Sequence, residues 1–494
     1  MNDMEERKLF STLDDNINQL KSIFDCVQDI VFREFYAGEN RLFIVYVDNL
    51  VSGTTVENAI LTNLMVRGHT GGNAFYLNLR TIAVGETTEI DTFEKVCDAI
   101  LLGDTVLFSV GYDKAIQIST KGWPSRGVPA VTNEVTIQGA KDAFVEQASK
   151  NIVLIRRRIK DTSLKVQRMN IGTKSKTDIV IMYMEGIVRE DILKSFLEKI
   201  NNINTDVVLD SGTIQQFLEA DTFSPFPQLQ VTERPDKTAA SINEGRIAVL
   251  VDNSPFALLV PSTMNVFFQA ADDYYERWEI VSFVRLMRFT AAILATILPA
   301  LYIGLTIFHP NLIPTSLVLK IAAGRASVPF PTIVEVLIME LAFELLKEAG
   351  IRLPSPIGGT IGIVGGIIIG QSAVEAGIVG PAVVIVAALT GVCSFVVPSV
   401  TLVSGIRITK YFMIILSSLF GLVGFWLGII LILAHLSSLE SFGVPYMFPF
   451  CSGSVNRYSD FKDSIIRFPL SFMKKRPIFA TKAQEDREQE DSEE

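Results

Sequence analysis

FTAAILATILPALYIGLTIF, residues Phe289 to Phe308, is a run of 20 residues without a charged side chain. At about 1.5 Å per residue a helix of this length covers about 30 Å, the thickness of a bilayer's hydrocarbon layer, so the run is expected to cross a membrane. Pro381 to Pro398 and Tyr411 to Ala434 have the same character, and Arg285, Arg288, Arg407 and Lys410 stand at the flanks, where basic residues gather beside spans. Between Val281 and Leu436 only 13 of 156 residues are charged, against 85 of the other 338. Two chemistries are therefore joined near residue 280, although the bulk composition, 49% hydrophobic and 20% charged, conceals it.

Toward the N-terminus the periodicity changes. Leu13, Ile17, Leu20, Phe24, Val27 and Val31 recur at three- and four-residue spacing, which predicts one amphipathic helix. The β-branched and aromatic run Arg41 to Val51 predicts a strand, and Thr55 to Met65 returns to helical spacing after a Ser-Gly-Thr-Thr turn. Thr105 to Ser109 and Lys114 to Thr120 flank Gly111-Tyr112-Asp113 as a hairpin, followed by a loop at Lys121 to Gly127. A second unit begins near Asn151, with strands at Leu164 to Ile171 and Asp178 to Met184, a helix at Glu190 to Ile200 and a strand at Asp206 to Leu209. Arg246 to Pro261 reads as two strands around an Asp-Asn-Ser-Pro turn. The expected architecture is an α/β soluble N-terminal region of two subdomains, 1–150 and 151–280. An all-α polytopic membrane domain of four or five spans follows over 281–436, then a polar region, 437–494, with an acidic tail.

Several function classes fall away. The net charge is −10, and Glu485 to Glu494 holds seven acids against Arg487, so nothing attracts nucleic acid in general. Cys26, Cys97, Cys393 and Cys451 lie far apart and His69, His309 and His435 are scattered, giving neither a disulfide framework nor metal-ligand spacing; a reduced compartment fits. There is no GxxxxGK[ST], no HExxH and no base beside a nucleophile, so no catalytic, metal or cofactor site is expected and the chain does not read as an enzyme. The polar N-terminus, MNDMEERKLF, lacks the apolar run of a signal peptide, which leaves the first 280 residues in the cytosol. The triplet Arg156 to Arg158 reads either as a solvated face or as a contact for phosphate or lipid headgroups.

Within the membrane half, Gly358, Gly362, Gly366 and Gly370 recur every fourth residue and lay small residues along one helix face. That face suits either packing within one subunit or a self-association or pore seam. Glu375 follows in the same segment, where a carboxylate is costly unless it faces water or a partner. Glu335, Glu340 and Glu344, in Pro331 to Gly350, would each cost about 2.5–3.5 kcal/mol facing lipid at a span's centre. This element is either an interfacial amphipathic helix in which Lys347 pairs with Glu344, or an acidic lining for cations. As a span it makes five crossings; as an interfacial helix it makes four, and places the C-terminus and the Lys474-Lys475-Arg476 cluster on the cytosolic side beside anionic lipid. Pro310 and Pro314 break any helix, so the stretch from His309 to Pro331 is expected to be a loop or re-entrant turn.

Beyond these patterns the chain resembles, nearly end to end, the A subunit of the GerA-type nutrient germinant receptors of spore-forming bacteria. The resemblance rests on GDTVLFSVGYDKAIQISTKGWPSRGV (Gly103 to Val128), NIVLIRRRIKDTSLKV (Asn151 to Val166), GTKSKTDIVIMYMEGI (Gly172 to Ile187), LDSGTIQQFLE (Leu209 to Glu219), SPFPQ (Ser224 to Gln228) and TERPDK (Thr232 to Lys237). In the membrane half it rests on FHPNLIPTSL (Phe308 to Leu317), VPFPTIVEVLIMELAFELLKEAGIRLPSPIG (Val328 to Gly358) and IGQSAVEAGIVGPAVVIV (Ile369 to Val386). The chain departs from the family where SREGVPFP becomes GRASVPFP (Gly324 to Pro331), removing the acid beside Arg325, and where GPREGF becomes GAKDAF (Gly139 to Phe144).

The resemblance implies a multi-pass subunit of the inner spore membrane with a cytosolic N-terminal domain, working with a transporter-like B subunit and a C lipoprotein. It implies A subunits that form a homo-oligomer, a nutrient-gated ion channel that triggers germination. Under it, Pro310, Pro314, Arg325, Pro329 and Pro331 are coupling-loop candidates, and the glycines and acids above are pore or packing candidates. A non-conducting signalling or scaffold subunit, and a sporulation-stage relative that helps move small molecules, are the alternatives.

Overall fold

The computed structural model describes residues 7–67, 86–123, 129–352, 370–451 and 458–487. Two compact units interleave along the chain. One comprises 1–218, 229–261 and 474–494, the other 219–228 and 262–473, so the stretch 437–494 is divided between them.

The first unit holds two five-stranded sheets. β1 (Ile30–Ala37), β2 (Asn40–Val47), β3 (Thr87–Ile90), β4 (Thr105–Ser109) and β5 (Ala115–Ile118) pair in the order β1-β2-β4-β5-β3, each pair antiparallel. Strand side chains alternate between faces. On β2, Phe43, Val45 and Val47 pack with helices α1 (Leu13–Ile23) and α2 (Phe93–Leu101), while Leu42 and Ile44 pack with Val56, Ile60 and Leu64 of the helical stretch 53–67. Burial on both faces explains why this strand reads as a continuous apolar run.

The second sheet has the order β6-β7-β9-β10-β8, from β6 (Leu164–Ile171), β7 (Thr177–Met184), β8 (Gln230–Thr232), β9 (Ile247–Val251) and β10 (Ala257–Val260), again antiparallel throughout. Helices α3 (Ala148–Arg156) and α6 (Pro235–Asn243) join its core, while α4 (Glu190–Asn201), which buries Ile192, Phe196 and Ile200 at four-residue spacing, packs with α5 (Ser211–Leu218). The C-terminal segment is part of this core: Ala480 is buried beside Ala239, Ile242 and Ala248, and Thr481 N–H donates to the Ile187 carbonyl at 2.8 Å.

Two local expectations are corrected here. The helix expected from Leu13 to Val31 ends at Ile23; Cys26 adopts φ +58° and the chain has turned into β1 by Ile30, so Val31 belongs to a strand. Asp206 to Leu209 is a loop rather than a strand, because the Asp206 carbonyl accepts from Lys174 N–H (2.9 Å) and Ser175 N–H (3.3 Å) of the β6–β7 turn.

The second unit is helical: α7 (Trp278–Ile303), prolonged by wider π-type turns over Gly304–Phe308, then α8 (Thr315–Gly324), α9 (Thr332–Arg352), α10 (Pro381–Val396) and α11 (Val400–Ser438). Among the described residues two helices are long and apolar enough to cross a membrane, Trp278–Phe308 and Val400–Ser438. Four or five spans are not shown, and most of the expected span at 357–380 lies outside the described residues.

Tyr411 to Ala434 is not one straight span. At Gly421 the backbone takes φ 61° and ψ −137° and α11 turns back on itself. A Cβ on Gly424 would meet the Leu416 carbonyl oxygen at 2.0 Å, and one on Gly428 the Met413 sulfur at 2.5 Å. Such closeness between residues 8 and 15 apart is impossible in a continuous helix rising about 1.5 Å per residue. The positive φ favours glycine at the turn, and the small residues after it let the two arms touch. His309 to Pro331 is likewise not a simple loop, since it contains the ten-residue α8 that starts after Pro314.

The arms order the bundle. Phe226, Phe267, Phe268, Ala291, Leu402 and Leu436 share one core, so the start and the end of α11 lie together beside the middle of α7. The far end of α7 meets the reversal: Ser417 Oγ donates to the Ala300 carbonyl at 2.6 Å, and a Cβ on Gly421 would strike the Phe308 ring at 2.7 Å.

Candidate functional site

The acids of α9 determine what this helix can do. Glu335 lies in its first turn, fully buried; Arg325, just past α8, donates to it at 2.9 Å, and the Gly380 N–H ahead of α10 donates at 2.7 Å. Arg325, which has no acid beside it in the chain, is thus paired ten residues further on. Glu340, one and a half turns along, is 3% exposed and accepts from Lys410 Nζ at 2.5 Å. Glu344 pairs with Arg407 at 2.7 Å. Partners fall in this order because α9 and the first arm of α11 run antiparallel: a step of four residues along α9 meets a step of three back along α11.

The expected Lys347–Glu344 pair is therefore corrected. Glu344 belongs to Arg407, and Lys347 sits 4.8 Å from the centroid of the Phe395 ring. Within the subunit these carboxylates are matched by bases, which offsets part of the cost an isolated charge pays in an apolar layer. Glu340 Oε1, Tyr302 Oη and Thr332 Oγ1 are buried without a hydrogen-bond partner.

The other candidates divide. Gly370 is buried, and a Cβ there would sit 3.1 Å from Val384 of α10, so this glycine permits a close approach. Gly358, Gly362 and Gly366 lie outside the described residues. Glu375 is exposed and accepts from Gln371 Nε2 at 2.8 Å. Pro310 opens a short 3₁₀ turn, Pro314 precedes α8, and the Pro331 carbonyl accepts the first N–H groups of α9; Pro329 is exposed in the link before it.

Four polar networks escaped sequence reasoning. Arg285 and Arg288 are not headgroup-facing flanks: Arg285 is fully buried between Asp273 (2.8 Å) and Asp463 (2.8 Å), and Arg288 also reaches Asp273 (2.8 Å). This ties residues after α11 to the start of α7. In the soluble unit, Arg156 is bidentate to Asp29 at 2.8 and 2.9 Å with both side chains 1% exposed; Arg157 lies 5.2 Å over the Trp123 ring and Arg158 pairs with Asp142 at 2.7 Å. The triplet is divided: Arg156 is buried and Arg158 is held by Asp142, while Arg157 alone keeps an exposed face. Glu233 of TERPDK takes the N–H groups of Thr132, Asn133 and Glu134 on Oε1, pinning that loop. Arg476 donates to the carbonyls of Asn243, Gln484 and Asp486, so this member of the basic cluster is turned into the fold. The partner residues lie tens to hundreds of positions away, which no local spacing reveals; the runs RRR and TERPDK were the available signals.

Among the described residues, no group of three or more His, Cys, Asp or Glu could hold a metal ion. The described chain is a two-sheet unit joined to a unit of apolar helices whose buried acids, Glu335, Glu340 and Asp273, are each answered by a base. The chain belongs to the GerA family, Bacillus/Clostridium GerA spore germination protein, which matches residues 18–479. It is 38% identical to spore germination protein KA of Bacillus subtilis over 482 residues, 96% of this chain and 88% of that one. It is 40% identical to spore germination protein A1 of the same organism over 384 residues, 77% and 78%. It is 38% identical to the uncharacterized membrane protein YfkQ of B. subtilis over 480 residues, 97% and 93%. Among solved structures it is similar to the N-terminal domain of the A subunit of the Bacillus megaterium spore germinant receptor GerK3, at 30% identity and TM-score 0.41, covering 51% of this chain and 96% of that one. The family is that of a germinant receptor subunit and is not a known enzyme class.

Proposed function

We propose that this chain is the A subunit of a nutrient germinant receptor in the inner spore membrane. It acts there with a transporter-like B subunit and a C lipoprotein, and copies of it assemble into an ion channel whose opening commits the spore to germination. The match of the family over residues 18–479 carries this reading, since it spans the soluble and helical units together. The soluble unit faces the cytosol. The chain crosses an even number of times; the return of residues 474–487 to that unit and the tie of Asp463 to the start of α7 support this part of the reading.

The glycine face Gly358, Gly362, Gly366 and Gly370 is assigned to the seam between subunits or the pore wall. Glu335, Glu340 and Glu344 hold α9 against its neighbours, and Glu375 is exposed where it can meet water. The test is potassium release from spores bearing the wild-type chain or Gly362→Leu after exposure to rich broth, with the amount of chain checked by immunoblot. Release lost at a normal protein level supports the seam; unchanged release removes it and directs the search to α9 or to the B subunit.

A further inference from the structure

Residues 219–228 leave the soluble unit. α5 before them and β8 after them belong to that unit, yet the ten residues between are folded into the helical one. Four contacts hold them there. Phe226 is buried among Phe267, Phe268, Leu402, Ile406 and Leu436. The Pro225 carbonyl oxygen fits against Gly405, where a Cβ would come within 2.5 Å of it. Ser224 Oγ and His435 Nε2 hydrogen-bond at 2.9 Å across the open end of the α11 hairpin. The Gln228 carbonyl accepts from Ser441 Oγ at 3.0 Å.

The segment is also closed on itself. Gln228 Oε1 accepts from Ala220 N–H (2.8 Å) and Asp221 N–H (3.1 Å), and its Nε2 donates to the Asp221 carbonyl at 2.7 Å, joining the two ends of the loop. Pro225 and Pro227 restrict the backbone between them. A closed, proline-stiffened loop moves as one piece instead of absorbing a displacement. What it leads into is short: β8 is a three-residue strand at the sheet edge, paired among the described residues to β10 and anchored where Arg246 donates to Gln230 at 2.6 Å. A strand this short has few ladder bonds, so a displacement at its leading end is read out as faster exchange there.

We propose that residues 219–228 are a coupling strap, seated in the notch at Gly405 and latched by His435, through which a shift of the α11 hairpin is carried along the chain to α5 and β8. Gly405, Phe226 and His435 are its positioning residues. The inference goes beyond the receptor reading and does not require that the chain conduct.

The experiment is hydrogen–deuterium exchange on the full-length chain in lipid nanodiscs, comparing peptides that cover α5 and β8. Gly405→Ala pushes the Pro225 carbonyl out of its notch and is expected to speed exchange in both flanking elements at least about fivefold. Gly391→Ala in α10, whose added Cβ meets nothing within 4 Å, is the matched control and leaves them unchanged. His435→Ala removes the latch without adding an atom and shifts the same peptides; His435→Gln, which keeps a hydrogen-bonding side chain, restores them. Exchange in α5 and β8 that stays at the wild-type rate in His435→Ala, or in Gly405→Ala where that variant is recovered, overturns the strap, even if the 219–228 peptide itself is altered. If Gly405→Ala does not accumulate, the two His435 variants decide.

Discussion

Replacing Lys410 by methionine is expected to destabilise the helical unit severely. Lys410 Nζ lies 2.5 Å from Glu340, and the two side chains are 8% and 3% exposed. The other carboxylate oxygen, Oε1, has no hydrogen-bond partner, so the lysine is the main group compensating this charge. Removing one partner of a buried pair costs about 3–5 kcal/mol, because the remaining charge is stranded away from water. For a unit of about 200 residues, where each kcal/mol moves the midpoint by about 2–4 °C, the loss corresponds to a fall on the order of 10 °C. The assay is thermal unfolding of the full-length chain in detergent, followed by fluorescence. Glu340→Gln combined with Lys410→Met removes both charges and is expected to recover most of the loss, since apolar or neutral replacements of a buried pair are often close to neutral. A Lys410→Met midpoint within about 2 °C of wild type, or a double variant no better than the single one, would refute the assignment of Glu340 to holding α9.

Two further predictions concern the soluble unit. Asp29→Ala strands the buried Arg156 and is expected to cost about 3–5 kcal/mol in urea unfolding, whereas Asp191→Ala, at an exposed pair with Arg189, costs under about 1 kcal/mol. Burial pushes the Cys97 thiol up to about 12, so at pH 8 iodoacetamide should label exposed Cys26 and Cys451 and leave Cys97 unlabelled until the chain unfolds. The sign for stability follows: above the ordinary thiol range the unfolded chain releases this proton and the folded one keeps it, so stability falls as pH rises from about 9 toward 12.

Local patterns carried much of the soluble unit. β2, β4, β6, β7, β9 and β10 each coincide with an apolar or alternating run, because burial of a strand face needs a side-chain type every second position and is written in adjacent residues. The same reasoning carried Leu13 to Val31 too far, since Phe24 and Val27 are buried as a helix would require yet serve the turn into β1. In the membrane half, the acids of α9 were visible and their partners were not: Lys410 lies 70 positions from Glu340.

By itself, then, the amino-acid order determined the two chemistries, the most apolar strands of the soluble unit and its helix at Glu190 to Ile200, the apolar runs and the family, all of which depend on residue type and short-range spacing. β1, β3, β8 and the helices α2, α3, α5 and α6 emerged only from the structure. Tertiary structure alone decided that α11 doubles back at Gly421, that Glu335, Glu340 and Glu344 are answered by Arg325, Lys410 and Arg407, and that residues 219–228 and 474–487 change units. The physical reason is that a glycine within an apolar run fits a straight helix or a reversal equally well by composition. Whether a buried charge is tolerable depends on a neighbour brought to it only when the chain has packed.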